Sequence, residues 1–450
     1  MSSLTSPISV AIIGAGIAGI TMAIALSKHN PNLKVTIFES RAAFSEIGAG
    51  VGKYYLISFH FLFNLPDHRT GFGPNAVQAM NLISPDITAA FNNVKSASTP
   101  LEKDHVWYDV RHGDGLRAGD FIAEMSTSKG FRHCGASRAQ FLDELVKLIP
   151  REVKITFGKK VVDVMETEQR GKLVIIFDDG TSAHADAVIG CDGIRSACRQ
   201  ILLGPEDKSA NAVYSGKYAY RKVVGMHKAV EAGGPEMKTR QIYVGKGGHL
   251  LMFPINNGNL LNVVAFKDAE GTPWMQKQWV IPSSHEDLLS DFKGWGEKAT
   301  KILELIDKPE KWALFDHLPA PTYAKGNFCL VGDAAHATTP HSGAGAGFAI
   351  EDVHLLSSVL TPDLIKSRSD IRYAFKAYDE MRRPRSQEMV TRSRTNGLLM
   401  DLQREDGFEV TDEMLKQSLA SNMKWVWEID LERMLEEVHA LFKKYERMRT

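Results

Sequence analysis

Gly332-Asp333-Ala334-Ala335-His336, continued by Pro340-His341-Ser342-Gly343-Ala344-Gly345-Ala346-Gly347, is the stretch whose reading decides the fold. The apolar run Asn327-Phe328-Cys329-Leu330-Val331 before it reads as a buried strand that Gly332 ends. Glycines without a Cβ let the backbone come close to a ligand and take up positive φ. From Gly345 the text Gly-Phe-Ala-Ile-Glu-Asp-Val-His-Leu-Leu reads as a helix. A strand, a carboxylate at Asp333 and a glycine-rich helix entry together make a place for a ribose or a phosphate.

Working outward, the same grammar appears at the start of the chain. The run Ile8-Ser9-Val10-Ala11-Ile12-Ile13 leads into Gly14-Ala15-Gly16-Ile17-Ala18-Gly19, then a helical pattern, then a second strand ending at Glu39. In that context Gly14 makes the tight turn, Gly16 admits a pyrophosphate and Gly19 lets helix and strand pack closely. Glu39, about 20 residues past the last glycine, is placed to accept a ribose hydroxyl. The motif by itself does not distinguish FAD from NAD. A third strand end follows at Gly190-Cys191-Asp192-Gly193-Ile194-Arg195-Ser196. Between them Arg138 opens an amphipathic helix with Phe141, Leu142, Leu145 and Leu148 on one face; it is either a solvated helix start or a side chain aimed at the dinucleotide.

Composition narrows the class. The chain has 450 residues, 44% hydrophobic and 24% charged, with a formal net charge of zero. That is the profile of a multidomain globular protein, and nothing in it calls for nucleic acid. Cys134, Cys191, Cys198 and Cys329 show no metal-ligand spacing, and reduced thiols in a cytoplasmic protein are expected. No apolar segment is long enough for a membrane span and no leader pattern opens the chain.

The text divides into residues 1–209 and 316–383, expected to form one discontinuous dinucleotide domain; residues 210–315, expected to form a mainly antiparallel sheet over a flat apolar pocket; and residues 384–450, expected to be helical and to cover the others. Residues 53–70, KYYLISFHFLFNLPDHRT, break into otherwise continuous text. Their codons can supply a splice donor at Gly-Lys-Tyr, a branch point at Pro-Asp and an acceptor at Thr-Gly. Excising residues 53–71 would rejoin a strand to a helix that starts Pro-Asn, so a retained intron is expected, with a surface insertion or lid as the alternative.

The three motifs in this order, GAGIAG with Glu39, GCDGIRS and GDAAHATTP, resemble the group A FAD-dependent aromatic monooxygenases, and among them the salicylate hydroxylase-like branch found in fungi. The resemblance implies an α/β fold: a discontinuous Rossmann-like FAD-binding domain, a mainly antiparallel β-sheet substrate domain and a C-terminal helical region. It implies FAD as the bound cofactor and NAD(P)H as a transient co-substrate with no domain of its own. It also implies that Gly14, Gly16 and Gly19 hold the pyrophosphate, Glu39 the adenosine ribose and Asp333 the ribityl chain, that Arg138 contacts FAD, and that Asp192 and Gly193 belong to the motif tied to both FAD and NAD(P)H. Pro340, Gly343, Ala344, Gly345 and Ala346 would line the flavin ring.

The activity implied is hydroxylation of a phenolic or aromatic acid by O2, with or without decarboxylation. The alternative is epoxidation or dearomatising hydroxylation of a polyketide- or terpenoid-derived compound. The partners implied are a small aromatic substrate and O2, in a monomer or homodimer without metal or membrane. His341 falls where relatives place a histidine beside the flavin and is the candidate acid/base. Arg221 falls where they place a substrate-facing arginine, and Tyr243 is a further hydrogen-bonding candidate. His336 is expected to be structural. Phe348 departs from the family pattern, in which many fungal relatives have glutamine.

Overall fold

The computed structural model describes residues 7–44, 69–96, 100–127, 131, 135–167 and 172–448. The central layer is a sheet whose strands run in the spatial order Ala324–Lys325, Phe328–Leu330, Ala187–Gly190, Ile8–Ile13, Leu33–Phe38, Lys154–Thr156. All pairs are parallel except the first. Parallel strands buried on both faces need continuous apolar runs, and Ile8–Ile13 and Ala187–Gly190 are such runs. The helix Ile17–His29 packs on one side against the helix Gly345–Ser358. The three motif loops therefore leave neighbouring strand ends of one sheet, where α/β proteins bind their ligands.

A second, eight-stranded sheet is antiparallel apart from one pair, in the order Val280–Pro282, Glu310–His317, Ala212–Gly225, Leu260–Asp268, Gly248–Ile255, Gln241–Gly245, Val106–His112, Phe121–Ser126. Its last two strands come from the region read as the dinucleotide domain. The alternation along Val106–His112 is masked in sequence because almost every residue in it is buried. The helical region read as starting at Pro384 also differs. A single helix runs Ile371–Met400 with Pro384 inside it. Proline there leaves the carbonyl of Glu380 without its helical donor. Glu380 faces solvent, where water can serve that carbonyl, while Arg382 and Ser386 on the other side are fully buried.

The helices Asp412–Trp427 and Leu431–Arg447 complete the C-terminal region. The second packs on Ile371–Met400 and is amphipathic, with Leu431, Met434, Val438, Phe442 and Tyr445 inward. Among the described residues no helix is long and apolar enough to cross a membrane. Residues 53–68 of the unusual insertion lie outside the described residues. Its last three residues, Arg69–Gly71, pair with Gly135–Ser137 in a small three-stranded sheet.

Candidate active site

The glycine loop is shaped by contacts that only glycine permits. Gly14 has φ +100°, and a Cβ there would lie 2.5 Å from the carbonyl oxygen of Cys191. A Cβ on Gly19 would lie 2.0 Å from the carbonyl oxygen of Gly14. Backbone cannot give way at such distances, so the turn and the helix that follows are locked together. Gly16 is different: a Cβ there would have only the Arg138 guanidinium within reach, at 3.7 Å, so the space before the helix N-terminus is open and a cation overlooks it. Glu39 stands at the same loop. Its Oε2 accepts from the backbone N–H of Ala15 at 2.8 Å. Asp192 and Gly193 lie beside Gly14, but the Asp192 carboxylate accepts from the Ser196 hydroxyl and the N–H of Cys198, and it does not line the cavity described next. Burial raises its pKa.

A cavity of about 650 Å³ opens from Arg138 and Asp333, passes the stretch from Pro340 to Ala346, and ends under the antiparallel sheet. Asp333 follows Gly332, whose φ of +64° turns the chain at the strand end. That turn is fixed from behind by Asp352, which accepts from the N–H of Gly332 at 2.8 Å and also holds His336 Nε2 at 2.6 Å. His336 is thus turned into the core. Asp352 is in turn bound by the fully buried Arg382, which also pairs with Glu351. Gly343, in the left-handed region at φ +60°, leads the loop into the helix Gly345–Ser358, whose N-terminal N–H groups face the cavity. Phe348 lies inward, with Arg385 over its ring at 4.7 Å, away from the cavity lining.

FAD fits these groups. A dinucleotide glycine loop with an open Gly16, a facing arginine, an exposed carboxylate at Asp333 and a helix N-terminus lie along one continuous path. The helix end favours negative charge on whatever ring system meets it.

The roof of the cavity follows the pleat of the sheet. Successive side chains alternate faces. Ala219 and Arg221, His249, Leu251 and Phe253, Asn262, Val264 and Phe266, and Trp312 and Leu314 line the cavity. Ile242 does so on its strand, so its neighbour Tyr243 points to the opposite face. There Tyr243 packs with Tyr220, Leu250 and Val263. The expectation that Tyr243 meets the substrate is therefore corrected: it is a core residue, its phenol pushed up to about 12 by burial. Arg221 does reach the cavity, with its guanidinium 5.3 Å from the Trp312 ring.

His341 lines the cavity beside Phe266 and His249, with ring centroids 5.1 and 5.3 Å away. Neither of its ring nitrogens has a hydrogen-bond partner. Burial first, then the neighbouring His249, holds its pKa well below the ordinary histidine value, so the ring is neutral.

Several groups of the site escaped the sequence reading. His249 lines the cavity and its Nδ1 meets Asp401 Oδ1 at 2.6 Å; Asp401 also pairs with Lys217. Asn262 is buried with an unpartnered amide nitrogen. Trp427, Met423 and Val426, all from the helix Asp412–Trp427, close one wall. The period-two pattern His249, Leu251, Phe253 was a usable signal for the first. Asp401 carries none, since nothing local marks it.

Residues 148–393 match the FAD binding domain family, and residues 12–46 match an NAD(P)-binding Rossmann-like domain. The chain is 37% identical over 443 residues to the 6-methylsalicylate 1-monooxygenase of Aspergillus terreus, covering 98% of this chain and 93% of that one. It is 34% identical to a salicylate hydroxylase of Pseudomonas putida, covering 96% and 94%. Among solved structures, a salicylate hydroxylase substrate complex superposes with a TM-score of 0.82 at 31% identity, covering 96% of this chain and 98% of that one.

Proposed function

The chain belongs to the FAD-dependent monooxygenases of the salicylate hydroxylase-like family, and from that membership we propose that it hydroxylates a phenolic acid of the salicylate or orsellinate type, with NAD(P)H as reductant and O2 as co-substrate. When bound, the flavin supplies the reductive activation of O2 and the transfer of oxygen to the ring. The chain's own residues bind, orient and shield.

The observation that carries the reading is the pairing of a cation with an aromatic wall inside the flavin cavity. Arg221 lies beside Trp312 on the sheet face opposite the loop from Pro340 to Ala346. A guanidinium there can clamp a carboxylate or phenolate in two-point fashion, while Trp107, Leu251, Phe253 and Phe266 exclude water from the ring. His341, neutral and without an internal partner, is free to hydrogen-bond the substrate next to the flavin loop. Gly14, Gly16, Gly19, Glu39 and Arg138 hold the adenosine diphosphate half of FAD. Asp333, with Gly343 to Ala346, holds the flavin half. Asp192 and Gly193 bracket the glycine loop. We take the enzyme to be cytoplasmic and to act as a monomer or homodimer on a small aromatic substrate; its three described cysteines are free and buried, as suits a reducing compartment.

A second reading, oxygenation of a larger polyketide-derived ring system, is supported by the length of the roof. Asn262 and Phe266 both face the cavity four positions apart on one strand, roughly 13 Å at the rise of a strand. That exceeds one benzene ring.

The test is direct. Purified protein should be yellow and should oxidise NAD(P)H faster when salicylate, 6-methylsalicylate or an orsellinate-type phenol is added, with a hydroxylated product recovered. Loss of the flavin spectrum, or oxidation indifferent to every phenol, would overturn the proposal.

A further inference from the structure

We propose that the Ser342 hydroxyl donates to an anionic oxygen of the aromatic substrate, aimed there by a one-way hydrogen-bond relay that starts at Arg392, outside the cavity; this rests on the phenolic-acid reading above. Ser342, Asn396 and Asn422 line the cavity, whereas Arg392 does not. The three come from three different elements: the loop at Pro340–Ser342, the helix Ile371–Met400 and the helix Asp412–Trp427. Arg392 Nη1 donates to Asn422 Oδ1 at 2.7 Å. Asn422 Nδ2 donates to Asn396 Oδ1, and Asn396 Nδ2 donates to Ser342 Oγ at 2.9 Å.

The direction of the relay follows from Arg392. A guanidinium has donors and no acceptor. Asn422 must therefore turn its oxygen towards Arg392 and its NH2 towards Asn396. Asn396 must in turn offer its oxygen to Asn422 and its NH2 to Ser342. Reversing either amide would set N–H against N–H. Ser342 Oγ is left as the acceptor, so its own hydrogen has to point elsewhere, and among the described residues that hydrogen meets no acceptor. The parts are held in place. Arg392 Nε lies 2.8 Å from Glu388 Oε1, and its guanidinium stands 4.5 Å from the centre of the Trp425 ring. Asn396 is 4% exposed. The loop is fastened to the same helix at Thr339, whose hydroxyl donates to Ser393 Oγ at 3.0 Å while the Ser393 hydroxyl donates to the Thr339 carbonyl at 2.6 Å.

Hydrogen bonds that all run one way polarise one another, and this chain starts from a full positive charge. The O–H at its end is a stronger donor than a lone serine. Such a donor favours negative charge in the ligand, because a hydrogen bond to an ionised acceptor is roughly twice as strong as one between neutral groups. The ligand chemistry is thus an anionic oxygen, the carboxylate or the ionised phenol of an aromatic acid. No covalent bond is made or broken. Ser342 binds the ligand; Asn396, Asn422 and Arg392 are positioning residues that act through it. The substrate then has an anchor on the flavin loop besides Arg221 on the roof.

The experiment uses the FAD-loaded protein without NAD(P)H, with binding read from the flavin spectrum and each variant checked for FAD content and melting. The probes are salicylate, benzoate and salicyl alcohol. Ser342→Ala should weaken salicylate by about 10–150-fold, the worth of a hydrogen bond to a charged group. The same loss with benzoate marks the anchored oxygen as the carboxylate's; a loss with salicyl alcohol and not with benzoate marks it as the phenol's. Asn396→Asp keeps the shape but offers Ser342 an acceptor, so the hydroxyl turns away from the ligand and salicylate binding should fall at least as far. Arg392→Leu acts from outside the cavity and should weaken salicylate by roughly 2–4-fold, with Arg392→Lys restoring it; this pair carries the test if Asn396→Asp does not fold. If Ser342→Ala and Asn396→Asp bind salicylate as wild type does, or if only Ser342→Ala responds, the proposal is overturned. It is also overturned if Ser342→Ala loses FAD or shifts the flavin spectrum while salicylate binding holds, since the hydroxyl then serves the cofactor. If wild type itself binds no salicylate-type acid, the substrate reading fails first and this assignment with it.

Discussion

Replacing Gly397 by alanine sets two quantities against each other. Gly397 lies inside the helix Ile371–Met400, where alanine is ordinarily better by about 1 kcal/mol. Here the added methyl would lie 2.8 Å from Nδ1 and 2.9 Å from Cε1 of His341. Ordinary contact needs about 3.5 Å or more, so the imidazole must retreat by roughly 0.7 Å. It cannot slide sideways, because His249 and Phe266 hold its faces; it can only move into the cavity. Overpacking of this kind costs about 1–3 kcal/mol, which leaves a net destabilisation of about 0–2 kcal/mol. The effect on turnover should be larger than on stability, since a misplacement of about 1 Å can cost on the order of 10²-fold in rate. The assay is thermal melting together with phenol-dependent NAD(P)H oxidation by FAD-replete protein. A Gly397→Ala protein that gains about 1 kcal/mol and turns over normally would refute the reasoning, and with it the tight seat of His341.

Further outcomes follow from other parts of the structure. Arg221→Ala should weaken binding of carboxylated phenols by about 10–150-fold, the worth of a hydrogen-bonded charge, while leaving FAD content unchanged; equilibrium titration of the flavin spectrum reads both. Arg382→Leu should cost about 3–5 kcal/mol in denaturant unfolding, because Glu351 and Asp352 lose a fully buried partner. Acid should expose the same cluster. His336 and Arg382 overcome burial and hold Asp352 down at about 2 against 3.8, so its contribution, on the order of 2 kcal/mol, is complete above about pH 4 and lost as pH falls towards 2. Stability measured across that range should show this loss, and Asp352→Asn should remove it. Finally, a chain lacking residues 53–71 should fold, bind FAD and turn over at least as well as the full chain; a colourless, inactive deletion would make the segment a working part and dismiss the intron reading.

The C-terminal region illustrates why a boundary can be misplaced. Proline breaks helices when its missing N–H and its ring meet a buried preceding turn. At Pro384 the carbonyl that loses its donor belongs to Glu380, which faces solvent, and the flanking ion pairs of Arg382 and Arg385 with Glu351 and Asp352 hold the helix straight through. A local rule was outweighed by contacts 31 residues away in sequence, the separation between Glu351 and Arg382. The sheet strand at Val106–His112 was hidden for a related reason, since burial on both faces erases the alternation that marks a half-exposed strand.

The sequence by itself determined the dinucleotide fold and its cofactor class. Gly14, Gly16, Gly19 and Glu39 act through backbone geometry within one strand-turn-helix unit, so their spacing is legible, and the order of three such motifs carries the family. Tertiary structure alone decided which side chains face the substrate. A strand's period of two separates Ile242 from Tyr243 but does not say which of them looks into the cavity; that depends on what covers each face, here a helical layer on one side and the flavin loop on the other. It also decided the partnership of His249 with Asp401, 152 positions apart. No local pattern links a strand residue to the end of a distant helix; only the packing of that helix against the hairpin brings their charges into one buried cluster.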